Sequence, residues 1–201
     1  LLLMPERVVE RYRQGEEIIA QDHQDVSVIF ADIVGLDRLQ AELTSEESLA
    51  IINELARQID AAAEELGVEP VRTMRNGYLA SCGLNAPRLD NVRRIVDFAL
   101  ETQRIIGRFN AETGRHLGLR AGIDAGRVSS GLVGRSSIVY DMWGAAVNLA
   151  YRVQSGSQQE GIYVTQRVYE TIGDIGAFTA AGAITIDGVE QPIWRVSERA
   201  G

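Results

Sequence analysis

Lysine is absent from the 201 residues, so all 20 basic side chains are arginine, set against 28 aspartates and glutamates for a formal net charge of −8. That excludes a Schiff-base lysine, a P-loop lysine and any lysine point charge on a polyphosphate. The acidic surplus also argues against a nucleic-acid binder, which shows a basic stripe. The single cysteine, Cys82, excludes an internal disulfide, and two histidines, His23 and His116, far apart in sequence, do not suit a His/Cys zinc site. Any metal is therefore expected to be a hard one held by carboxylates. Cys82 reads as a small buried apolar residue and the two histidines as surface residues. No apolar run approaches the ~18 residues of a bilayer span. The chain begins at Leu1 rather than methionine and lacks a signal-peptide pattern, from which a segment of a longer protein is expected, with any tether outside it.

What is present is a regular alternation of strand and helix signals. Residues 5–19 read as a helix, either an ordinary packing helix or a coiled-coil linker. Residues 25–33 are a β-branched run that fits a strand covered on both faces, ending on Asp32. Thr44 and Glu47 have capping-box spacing ahead of an apolar stripe that Gly67 stops. Residues 68–74 and 78–84 are strand candidates around Asn76-Gly77, and 92–109 a second long helix. Strands are expected over 117–125, 128–133, 137–141 and 161–164, helices over 143–153 and 165–172, and a terminal hairpin over 183–186 and 193–197 around Asp187-Gly188. The order predicts an α+β fold, a ferredoxin-like βαββαβ core with a C-terminal elaboration. We divide the chain into a linker over 1–23 and one domain over 24–199.

Several residues stand where chemistry is possible. Asp32, at the end of a buried strand, needs a cation or donors as partners, or else caps the following turn. Ile33, Val34, Gly35 and Leu36 begin the next element, and Gly35 lets backbone N–H groups approach an anion. Asn148 and Arg152 are four apart on a helix and share a face, either as a ribose and phosphate clamp or as an ordinary surface pair. Asp141 on its own is a turn acid, and Trp143 reads as core.

Three motifs, Phe30-Ala31-Asp32-Ile33-Val34-Gly35, the hairpin over 72–80 (RTMRNGYLA) and the stretch over 140–152 (YDMWGAAVNLAYR), make the chain resemble a class III nucleotidyl cyclase catalytic domain from about residue 24 to 196. The resemblance implies conversion of a nucleoside triphosphate to the 3′,5′-cyclic monophosphate and pyrophosphate, at sites shared between two chains. It also implies two Mg²⁺ or Mn²⁺ ions, held by Asp32, the Ile33 backbone carbonyl and a second acid at position 76. Gly35 and Leu36 would face the phosphates, Arg72 and Asp141 would read the base, Asn148 would orient the ribose, and Arg152 would stabilise charge at the reacting phosphate. An acid at 141 favours adenine. The N-terminal segment looks like the linker of membrane-tethered members, which implies a cytoplasmic location.

The pattern is broken at several points, most of which make the charge less favourable to a triphosphate and its metal ions. Asn76 replaces the second metal acid, so one of the two metal sites is expected to be weak. Arg72 replaces a base-reading lysine, and no lysine stands near Val189 for the phosphates. Asp37 adds a carboxylate where a like charge at ~4 Å costs ~1–4 kcal/mol against the triphosphate. The expectation is a weak or inactive homodimer making cyclic AMP, with a non-catalytic regulatory module or the base-reading half of a heterodimer as alternatives. A diguanylate cyclase is excluded by the absence of its Gly-Gly-acid-Glu-Phe turn, and an RNA-binding sheet by the acidic balance.

Overall fold

In β1 (Ala20–Val34) the alternation of side chains between two apolar environments decides where everything else packs. Ile29 and Ala31 belong to one core cluster, and Val26, Val28 and Phe30 to another. The strand is therefore covered on both faces, as its β-branched run requires. The structure, a computed structural model, describes residues 9–10, 13–15, 20–74, 76–133, 139–157, 159–174 and 176–198. Of the helix expected over 5–19, the described part shows one helical bond, from the Gln14 N–H to the Glu10 carbonyl.

After β1 come α1 (Leu36–Glu42), α2 (Ser45–Leu66), β2 (Glu69–Met74), β3 (Gly77–Cys82), α3 (Asn91–Thr113) and β4 (Gly118–Val133). The sheet runs β2-β3-β1-β4 with every neighbour antiparallel, which is the ferredoxin-like βαββαβ core. The chain then adds β5 (Val139–Trp143), α4 (Ala145–Gly156), β6 (Gly161–Thr165), α5 (Gln166–Ile172), β7 (Ala177–Ile186) and β8 (Val189–Ser197). β6 joins β4 in parallel, β8 and β7 extend that edge, and β5 pairs with the far end of β4.

Local signals account for the long helices. The Glu47 N–H donates to Thr44 Oγ1 at 3.1 Å, closing the cap ahead of α2, and Gly67 ends that helix in the left-handed region. Leu55, Ile59 and Ala63 of α2 and Ile95, Phe98 and Ala99 of α3 bury against the Ile29 face of the sheet. The opposite face takes α4 through Ala146, Val147 and Ala150, together with Tyr140 and Met142 of β5.

Five local expectations change. Residues 117–125 and 128–133 form one strand, because β1 follows β4 through the bend with a bulge between His23 and Val26. β1 starts at Ala20, and β7 and β8 are several residues longer than the expected hairpin, each lengthened by pairing that single-strand signals do not carry. Trp143 is 41% exposed rather than core. His23 is partly buried, with Nε2 3.0 Å from Ser130 Oγ, and burial lowers its pKa. Residues 137 and 138 of the expected strand, and Arg75, lie outside the described residues.

Candidate functional site

Asp32 and Arg120 sit at one register position of the β1–β4 ladder, and strand alternation points both away from the α2 and α3 face. Arg120 Nε donates to Asp32 Oδ1 at 3.2 Å and its NH2 to Oδ2 at 3.0 Å, a two-pronged grip. Gln154 Nε2 of α4 donates to Oδ1 at 2.6 Å. Both charged side chains are about a third exposed, 28% and 30%, so the pair is worth roughly 1 kcal/mol and a dication or a phosphate can compete for either member.

On the other side of Asp32 lies the β2–β3 hairpin. Gly77 pairs with Asp32, and a Cβ at Gly77 would collide with the Ala31 carbonyl, so the glycine after Asn76 is what lets the hairpin close on β1. The Ile33 N–H donates to the Asn76 carbonyl at 2.7 Å, which fixes residue 76 beside the end of β1. The Asn76 amide nitrogen donates to Asp37 Oδ2 at 3.1 Å. Asn76 Oδ1 is buried and has no hydrogen-bond partner. An orphaned buried acceptor costs about 1–3 kcal/mol unless a ligand uses it. Next along the chain, Gly35 adopts φ 91° at the start of α1, a conformation that favours glycine. Leu36 is buried, so only its backbone is available to an anion.

Arg72 and Asp141 meet as an ion pair at 3.8 Å, across β2 and β5. Asp141 Oδ1 accepts from the Met142 N–H at 2.9 Å, which orients the carboxylate. Asn148 and Arg152 leave one face of α4 and line an open cleft with Gln166, Arg167 and Asp187. The Arg152 NH2 donates to the Thr185 carbonyl at 2.8 Å, and Arg167 is bound to the buried Asp124. Val189, near which the sequence offers only acids, is 61% exposed at the β7–β8 turn.

Helix α4 divides these groups. Gln154 leaves it roughly 120–160° around the axis from Asn148 and Arg152. Gln154 is buried against Asp32, whereas Asn148 and Arg152 are exposed. The expected residues thus form an Asp32, Ile33, Asn76 group and, elsewhere, an Arg72–Asp141 pair and an Asn148, Arg152 face.

Arg120 and Gln154 were missed by sequence reasoning, which left Arg152 as the main cation for a phosphate. Arg120 had a signal: it is a charged residue between Leu119 and Ala121 in an otherwise apolar part of its strand. Gln154 had none, since a polar residue one turn from a helix end is ordinary.

Asp32, the Ile33 carbonyl and Asn76 are the oxygen-bearing groups at the end of β1 that could hold a hard divalent cation, and among the described residues no group of three His, Cys, Asp or Glu side chains gathers as a metal site.

Comparison with known proteins identifies the family. Residues 18–196 match the family model described as the adenylate and guanylate cyclase catalytic domain. An adenylate cyclase of Mycobacterium tuberculosis is 30% identical over 187 residues, covering 92% of this chain and 42% of the relative, so this chain spans well under half of that protein. The human guanylate cyclase soluble subunit alpha-2 is 29% identical over 177 residues, covering 88% of this chain and 24% of the relative. The crystal structure of a guanylate cyclase domain from Catenaria anguillulae in complex with GTP superposes with a TM-score of 0.81 at 26% identity, covering 90% of this chain and 100% of that one. With the fold, the motifs and a match across nearly its whole length in agreement, this chain belongs to the adenylate and guanylate cyclase catalytic domain family.

Proposed function

We propose that this domain converts ATP to 3′,5′-cyclic AMP and pyrophosphate at sites built from two chains, and does so slowly when paired with itself. The observation that carries this reading is the division made by α4: Asp32, Arg120 and Asn76 lie on one side, Asn148 and Arg152 on the other, so the two sets converge only when a second chain faces the first. The location read for this activity is the cytoplasm. No helix among the described residues is long and apolar enough to cross a membrane.

In this reading the Asp141 carboxylate accepts a hydrogen bond from the exocyclic amine of adenine, and Arg72 beside it supplies donors to the ring. Guanine presents a carbonyl at that place, which a carboxylate repels. Asn148 holds the ribose so that its 3′-oxygen faces the α-phosphorus, and Arg152 stabilises the negative charge that grows on the α-phosphoryl oxygens as pyrophosphate departs. Arg120 exchanges Asp32 for the triphosphate and supplies charge that a lysine near Val189 would otherwise bring. Asp32, the Ile33 carbonyl and Asn76 Oδ1 would hold Mg²⁺ or Mn²⁺, which when bound acidifies the 3′-hydroxyl and offsets triphosphate charge. Asn76 brings an oxygen without a charge, hence the slow turnover and the preference for Mn²⁺.

The test is an assay of purified protein with Mn²⁺-ATP and Mn²⁺-GTP. Slow cyclic AMP formation, little cyclic GMP and a faster Asn76→Asp/Asp37→Thr double variant are expected. Brisk Mg²⁺-dependent turnover by the unmodified protein overturns the impaired-enzyme reading. Mixing Asp32→Asn with Arg152→Ala chains, each inactive alone, should restore activity; no restoration counts against a shared site.

The amide at 76 favours a second reading as the base-reading half of a heterodimer, since it brings no charge to the cation site while Arg72 and Asp141 remain paired. In that case the chain activates a partner domain whose own base-reading residues are disabled.

A further inference from the structure

Position 76 has lost a carboxylate and position 37 has gained one, and the structure brings the two side chains together. The Asn76 backbone is held to Ile33 by the 2.7 Å bond from the Ile33 N–H, so residue 76 has no freedom to drift from the end of β1. Asp37 follows Gly35 by two residues, in the first turn of α1, and its Oδ2 accepts from the Asn76 amide nitrogen at 3.1 Å. A carboxylate only accepts, so the amide nitrogen must face Asp37 and the amide oxygen must face away from it. That oxygen, Oδ1, is the atom left buried and without a partner.

We propose that Asp37 supplies the second carboxylate of the cation site in place of residue 76, with Asn76 orienting Asp37 through its amide nitrogen. The proposal rests on the reading of Asp32 and its neighbours as the divalent-cation site. It changes what Asp37 does: a carboxylate that seemed set against the triphosphate instead restores the two negative charges that two dications require, Asp32 with Asp37 rather than Asp32 with an acid at 76. The hydrogen bond from the Asn76 amide also directs the Asp37 carboxylate. A pair exchanged in this way predicts non-additivity. Asp37→Asn removes charge from the site, whereas Asp37→Asn together with Asn76→Asp returns it on the side chain hydrogen-bonded to position 37.

The experiment measures Mn²⁺ binding to the whole chain in the presence of a non-cyclisable ATP analogue, by the loss of the free-ion electron paramagnetic resonance signal, for the unmodified protein and for Asp37→Asn, Asp32→Asn and the Asp37→Asn/Asn76→Asp double variant. Circular dichroism melting checks that each variant is folded, which the exposure of Asp37 favours. The proposal expects Asp37→Asn to weaken one Mn²⁺ at least tenfold and the double variant to recover most of that loss. Unchanged Mn²⁺ binding in Asp37→Asn, with binding lost in Asp32→Asn, overturns the role of Asp37 while leaving the cation site in place. Binding that neither Asp32→Asn nor Asp37→Asn alters, or no Mn²⁺ binding by the unmodified protein, overturns both.

Discussion

Arg120 stands directly opposite Asp32 in the β1–β4 ladder and closes on it with bonds of 3.2 and 3.0 Å. The two side chains are 88 residues apart in sequence, and each is what the other's ligand would displace. In the proposed site the carboxylate would take a cation and the guanidinium an anion, and each is paired by the other.

Replacing Arg120 separates those roles. Arg120→Ala removes the internal competitor of a cation, so Mn²⁺ measured without nucleotide should bind about fivefold more tightly, equivalent to the roughly 1 kcal/mol of a partly exposed ion pair. With nucleotide present the same variant should bind ATP about tenfold more weakly, from the loss of one charge-assisted phosphate contact. Calorimetric titration of each ligand checks both signs, and a variant weakened toward both ligands contradicts the exchange.

Asp141→Asn tests the base-reading pair. The Asp141 oxygen that faces Arg72 becomes part of an amide that presents donors as well, so adenine loses its selective acceptor and the carbonyl of guanine gains a partner. The ratio of kcat/KM for Mn²⁺-ATP to that for Mn²⁺-GTP should fall roughly tenfold, in line with one hydrogen bond of discrimination at a partly exposed site. A ratio that stays constant would remove Asp141 from base recognition.

Gly77→Ala tests the packing that seats the hairpin. The new methyl group would enter the space of the Ala31 carbonyl, so β3 must part from β1 at the register that places Asn76. A loss of about 3 kcal/mol is expected, which for a domain of this size lowers Tm by roughly 6–12 °C. Thermal unfolding followed by circular dichroism measures it.

Cys82 should behave as a silent thiol. It is fully buried, its Sγ donates to the Gly67 carbonyl at 3.4 Å, and burial pushes its pKa up to about 11. Because the folded value lies above the unfolded value of about 8.5, the neutral thiol favours the fold fully below that pH, and this contribution is lost as pH rises toward the folded value. Ellman's reagent at pH 8 should label the native protein only as fast as it opens and the urea-unfolded protein at once. Stability should fall less between pH 8 and pH 10.5 in Cys82→Ala than in the unmodified protein.

Elements whose information is local were legible before any coordinates. Thr44 and Glu47 cap α2 as their spacing predicts, because an N-cap is settled within four residues. The β-branched run ending on Asp32 forms the doubly covered strand, and the helix over 143–153 appears as α4 with Asn148 and Arg152 on one exposed face, since periodicity alone sets which residues share a side. The βαββαβ order follows from the same signals. What failed was pairwise and distant. A continuous β4, the lengthened β7 and β8 and the exposed Trp143 depend on which strands lie beside one another, and no single strand carries that.

The residues themselves were therefore determined by the sequence: no lysine, an amide at 76, an added acid at 37, and an intact stretch from Tyr140 to Arg152. Their partners were decided by tertiary structure. Arg120 reaches Asp32 because antiparallel pairing sets position 32 against position 120, and Asp37 reaches Asn76 because a glycine at 77 lets the hairpin close on β1. Composition counted 28 acids and 20 arginines; the register of one sheet decided which of them meet.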